Sequence, residues 1–285
     1  MSTENQTTPL YLLKDFTHRM IIRFHNAIGH LYVPNINARI PFQDGAYYVK
    51  TNSSGFKSDL EFVDKKKSKD KPRILFFGDS FTAGDGCENQ YRFSEIIGQK
   101  LNAEIYNYGL SASGTDQQIL IYEKFAKNVD ADMIVLCVWI ENIRRILTDH
   151  RVTVDRTTNN LVNANKPYFV LKKSGELVLN NVPVPIKREK YKNKILQSLK
   201  INLKNKIINS IFWRIIQPFY QKIKKLIEIF IKTDPFKQYR YKSNYEWKLM
   251  YSIINRLSTQ ISIPLIIVPI PTYHYYNDKQ GNPHF

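Results

Sequence analysis

"RILFFGDSFTAGDG", residues 73–86, runs the four apolar residues Ile74 to Phe77 into Gly78-Asp79-Ser80 and then into residues too small to fill a core. An apolar run that short, stopped by glycine, reads as a buried strand that delivers a serine into a turn. Ligands of open parallel sheets collect beyond the carboxyl ends of the strands, so Ser80 stands where a site is expected. A serine hydroxyl is a weak nucleophile; it needs a base for its proton and donors for the oxyanion formed in acyl transfer. The plainer reading is a tight turn in which Asp79 and Ser80 only cap backbone groups. A phosphate loop is disfavoured, because no Gly-Lys-Ser/Thr ending follows and Asp79 and Asp85 would repel phosphate.

Working outward, strands are expected at Ile74–Phe77, Glu104–Tyr106, Met133–Val138 and Pro264–Val268, their apolar runs read as buried on both faces. Helices fit Gln90–Leu101 and Asp116–Asn128. The second has a start signal in Thr115 followed by Gln118, a capping box ahead of "ILIYEKFA". Strands alternating with helices imply a parallel sheet with helices on both sides.

Residues 1–72 read as an N-terminal extension. It has a helical start around Tyr11–Ile28, a turn-rich stretch of short strands, and a charged linker from Asp64 to Pro72. The α/β domain is then 73–285. Within it the alternation stops between about 151 and 245, an inserted region that opens with a hairpin around Ser174-Gly175. The insertion holds much of the net charge of +17: residues 187–242 carry sixteen Lys and Arg against Glu189, Glu228 and Asp234. Apolar residues from Ile208 to Phe230 recur at three- and four-residue steps, so Ile207–Lys232 is expected as a basic amphipathic helix kinked at Pro218. Such a helix fits an anionic membrane surface or packs on its own domain. Nucleic acid is disfavoured, since Trp213 and nearby tyrosines form no reading motif.

The second strand runs into "NYGLSASGTDQQ", Asn107 to Gln118, and the third into "VWIENIRR", Val138 to Arg145. With "GDSFTAG" these segments resemble the first three blocks of the SGNH hydrolases over roughly residues 73–145. The resemblance implies a three-layer α/β/α sandwich with a flavodoxin-like parallel sheet. It implies Ser80 as nucleophile, with oxyanion donors from the Ser80 N–H, the Ala112 N–H and the Asn142 amide. Ala112 stands where the family has glycine. Ile140-Glu141-Asn142-Ile143 matches the usual Gly-x-Asn-Asp only at its asparagine.

The family's base, an Asp-x-x-His near the C-terminus, has no counterpart. Asp278 and His284 are spaced differently, and His274 in "PTYHYY" lacks its aspartate. The base is therefore expected at His284, at His274, or in a block beyond Phe285; His18, His25, His30 and His150 read as surface or packing residues. The implied activity is hydrolysis of O-acyl esters, of a small molecule or of a carbohydrate or cell-surface polymer, with no cofactor and no metal. Transfer of the acyl group to another hydroxyl would use the same serine, and a binding module that has lost its base would keep the same sheet. Two unpaired-looking cysteines, no leader pattern at the N-terminus and no long apolar span fit a cytoplasmic protein, peripheral at the membrane if the basic region docks there.

Overall fold

The computed structural model describes residues 21–42, 45–66, 70–154, 161–186, 189–190 and 236–271. In chain order the strands are β1 (Ile22–His25), β2 (Gly29–Tyr32), β3 (Asn37–Phe42), β4 (Gly45–Lys50), β5 (Arg73–Phe77), β6 (Glu104–Asn107), β7 (Met133–Trp139), β8 (His150–Val154), β9 (Leu161–Asn165), β10 (Tyr168–Leu171), β11 (Leu177–Asn180), β12 (Glu189–Lys190) and β13 (Leu265–Ile270). The α-helices are α1 (Ser80–Ala83), α2 (Phe93–Leu101), α3 (Thr115–Ile121), α4 (Asn142–Arg145) and α5 (Tyr245–Ser258).

Four strands form a parallel sheet in the order β13-β7-β5-β6. The serine-delivering strand β5 is therefore central, buried at every position. Its side chains alternate between two cores. Leu75 and Phe77 join Tyr106, Leu136, Ile119, Ile253 and Leu257 in the larger one; Ile74 and Phe76 join Ile105, Val135 and Cys137 in the smaller. Helices α3 and α5 pack into the larger core, and Phe93 at the start of α2 meets Phe76 edge-on, ring centres 5.9 Å apart. The fold is thus an α/β architecture with a parallel sheet flanked by helices.

Strand β13 departs from its expected burial. Ile266, Ile267 and Val268 are 44%, 45% and 38% exposed. Among the described residues the apolar run that reads as a buried strand forms the edge of the sheet, with β7 its one strand partner, and an edge strand has fewer neighbours to pack against.

The helical start expected around Tyr11–Ile28 is corrected over its described part, since β1 and β2 form an antiparallel hairpin from Ile22 to Tyr32. The His25 ring nitrogen Nδ1 accepts the N–H groups of Ala27 and Ile28, both at 3.2 Å, and Gly29 takes φ +89°, so the chain reverses instead of coiling. Both N-terminal hairpins share the larger core: Ile28, Leu31, Tyr32, Ile40, Val49 and Phe56 are buried with Phe77 and Tyr108.

Two helix starts also shift. The segment expected as one helix over Gln90–Leu101 is a 3-10 turn, Asn89–Tyr91, followed by α2. The residue capping α3 is Gly114, one position before Thr115: the Gln117 Oε1 accepts the Gly114 N–H at 3.1 Å, and glycine has no side chain to return a bond. After Ile121 the helix widens into a π-turn, Tyr122–Ala126. The hairpin expected around Ser174-Gly175 is present as β10 and β11. The amphipathic segment Ile207–Lys232 lies outside the described residues, as do most of residues 187–242.

Candidate active site

Strand β5 stops at Phe77 because Gly78 follows with no room for a side chain. A Cβ at Gly78 would fall 1.9 Å from Thr82 Oγ1 and 3.1 Å from the Cys137 Cβ. Asp79 then caps α1, its Oδ1 accepting the Phe81 N–H at 3.1 Å, and Ser80 is the first helical residue. Ser80 is half-buried, and its hydroxyl enters no hydrogen bond with a described residue.

The three segments that resemble one family are brought together at the carboxyl edge of the sheet. Leu110 N–H donates to the Gly78 carbonyl at 3.0 Å, and the Ser113 hydroxyl to the same oxygen at 3.3 Å. Gly109 permits this approach, since a Cβ there would sit 2.5 Å from the Ala83 nitrogen. Asn107 fixes the turn: its amide donates to the Thr82 carbonyl at 2.8 Å and the Ser94 hydroxyl at 2.7 Å, while its oxygen accepts the Gly109 N–H at 2.8 Å. From the third segment, Arg145 Nη1 donates to the Ser113 carbonyl at 2.9 Å and lies 3.3 Å from Asp79 Oδ2. Its guanidinium also stacks 4.4 Å from the Trp139 ring, which meets Phe81 at 5.6 Å. One side chain thus ties all three segments.

Ala112 has φ +59°, the left-handed region that favours glycine, and its N–H enters no hydrogen bond among the described residues. Alanine therefore adopts the conformation a glycine would take here, at a cost of about 1 kcal/mol. Asn142 opens α4, three residues past the end of β7. It is fully buried, and neither Nδ2 nor Oδ1 has a partner among the described residues. No hydrogen bond joins Ser80 directly to Ala112 or Asn142.

The surroundings are unusually charged for a buried region. Burial pushes the Asp79 carboxyl up to about 6, with Arg145 pulling it back down. Asp116 forms a buried pair with Lys166; burial raises its pKa, and the ammonium opposes that rise. Lys57 is fully buried, donates to the Gly84 carbonyl at 2.7 Å and stands 3.9 Å from Asp85; burial lowers it to about 8. His30 is buried, and burial first, then Arg151, holds its pKa well below the usual histidine range, so the ring is neutral. Its Nε2 lies 2.9 Å from the Ser111 carbonyl oxygen. His25 caps the β1–β2 turn, and His150 is exposed beside Asp149. Among the described residues no histidine bonds the Ser80 hydroxyl, and no cluster of His, Cys, Asp or Glu could hold a metal. His274 and His284 lie outside the described residues.

Arg145, Asn107, His30 and Tyr32 are site-building residues that the sequence reading passes over. Asn107 had a signal, an asparagine closing a strand two residues before a glycine. The others act across 32 to 121 residues and leave no local pattern.

No family model matches the chain, and no curated protein matches it. Among solved structures it is similar to an Asp-to-Ala variant of esterase AlinE4, at 20% identity and a TM-score of 0.25, and to a Ser-to-Ala variant of the same esterase, at 19% and 0.25. Each match covers 29% of this chain and 48% of the esterase, so the chain spans about half the length of that protein. Among the described residues no helix is long and apolar enough to cross a membrane.

Proposed function

We propose that the chain is a serine ester hydrolase of the SGNH type, built on a three-layer α/β/α sandwich. In sequence order the sheet reads second, first, third, fourth strand, the opening of the doubly wound flavodoxin-like order, which supports that architecture. Ser80 Oγ attacks the carbonyl carbon of an O-acyl ester and gives its proton to a base, for which His284, His274 and a histidine beyond Phe285 are the candidates. The tetrahedral oxyanion takes hydrogen bonds from the Ser80 and Ala112 N–H groups and the Asn142 amide. Collapse breaks the bond to the leaving alcohol and leaves an acyl-Ser80, which water hydrolyses. The resemblance of the three segments favours an O-acyl ester as substrate, and no residue selects among a carbohydrate, a cell-surface polymer and a lipid.

The observation that carries this reading is the Asn142 amide. A buried polar group left without a partner costs about 1–3 kcal/mol. Asn142 bears that cost in the segment whose Trp139 and Arg145 meet Phe81 and Asp79 of the serine turn, and an oxyanion bound there would give its Nδ2 a partner. The test is release of p-nitrophenol from short-chain esters: the parent turns over and Ser80→Ala removes nearly all of that activity. A Ser80→Ala protein as active as the parent would move the chemistry elsewhere.

A further inference from the structure

The loop that carries Ala112 is gripped from outside by the N-terminal hairpin, and every polar atom of Ser111 is used in that grip. The Ser111 N–H donates to the Tyr32 phenol oxygen at 3.0 Å. The Ser111 hydroxyl donates to Asp85 Oδ1 at 2.6 Å, so its contact with Tyr32 runs the other way, from the phenol O–H to Ser111 Oγ. The Ser111 carbonyl oxygen faces His30 Nε2 at 2.9 Å. Asp85 closes the circuit, since its N–H donates to the Ser80 carbonyl at 3.0 Å. Tyr32, His30 and Ser111 are all buried, so water does not compete for these bonds. A two-way bond between one phenol and one serine, with a carboxylate as final acceptor, fixes both the place and the rotation of the residue before Ala112.

We infer that Tyr32 is a positioning residue for ester hydrolysis: the β1–β2 hairpin holds the Ser111-Ala112 peptide in its left-handed turn so that the Ala112 N–H stays free for the oxyanion. A non-glycine residue at φ +59° relaxes unless its surroundings over-determine it, and here the surroundings are Tyr32, His30 and Asp85. The N-terminal residues thereby become part of the reaction centre. This inference rests on the hydrolase reading above and adds to it a residue from a segment outside the three family-like blocks.

Tyr32→Phe removes one oxygen and keeps the ring in its buried seat. Two measurements on the full chain decide the matter. In p-nitrophenyl acetate hydrolysis, Tyr32→Phe should lower kcat about tenfold or more with KM within about twofold, because a displaced donor is lost in the transition state and not in substrate binding. By hydrogen exchange, amides of residues 109–114 should exchange at least about tenfold faster in Tyr32→Phe, while β5 and β7 keep the parent's protection. Unchanged kcat in an active parent whose Ser80→Ala form is dead overturns the positioning role and leaves the hydrolase reading standing. A parent inert both as given and when extended beyond Phe285 sinks the hydrolase reading and, with it, the catalytic role of Tyr32; the exchange experiment then still decides whether Tyr32 holds the loop. Unchanged exchange across 109–114 overturns the grip itself.

Discussion

Two asparagines follow on from the strands on either side of β5, one ending β6 and one opening α4 after β7, and their amides are partnered in opposite ways. Asn107, the last residue of β6, is buried and makes three hydrogen bonds, to Thr82, Ser94 and Gly109. Asn142, just past β7, is equally buried and makes none among the described residues. Burial alone therefore says nothing about role. A satisfied amide holds the turns in place, whereas an unsatisfied one costs stability, and in the proposed reaction the oxyanion would supply its missing partner.

The comparison can be broken first at Asn107. Asn107→Ala strands the Gly109 N–H and the Thr82 carbonyl, so stability should fall by roughly 2–4 kcal/mol, read from urea denaturation. A loss under about 0.5 kcal/mol would mean that its three bonds contribute nothing and that the contrast with Asn142 is empty.

A smaller effect sharpens the contrast through pH. The serine turn's own acid, Asp79, is bonded yet desolvated, with a folded-state pKa of about 6 against an ordinary 3.8. The folded state then binds more protons than the unfolded one between those values, so stability falls as pH rises from about 4 to about 6 and levels off above. Measured against Asp79→Asn, which does not titrate, the parent should lose on the order of 2–3 kcal/mol across that window. If the parent gained stability there instead, the Arg145 ion pair would outweigh desolvation.

Much of the sheet was legible in the sequence, because Ile74–Phe77 and Met133–Val138 are short apolar runs stopped by turn residues, and only a buried strand suits them. The serine turn was legible for the same reason. What escaped reading depends on partners far away in the chain. Nothing local marks Arg145 as the residue that ties Asp79 to Ser113, or Tyr32 as the partner of Ser111. The run at 264–268 looks like the central strands because an apolar stretch does not record whether a strand lies inside a sheet or at its edge. The start read as helical around Tyr11–Ile28 failed, over its described residues, because Ile22–His25 pairs as a strand with the segment that Gly29, at positive φ, turns back on it.

The central claim is that Asn142 is kept unsatisfied for the oxyanion, and Asn142→Ala tests it most directly by pairing turnover with stability in one protein. Because no side-chain hydrogen bond among the described residues is lost, the melting temperature should stay within about 2 °C of the parent or rise. Turnover of p-nitrophenyl acetate should fall roughly a hundredfold to a thousandfold, the loss expected for one oxyanion donor. Turnover equal to the parent's, with the melting temperature lowered by several degrees, would contradict the account and make Asn142 a structural residue like Asn107.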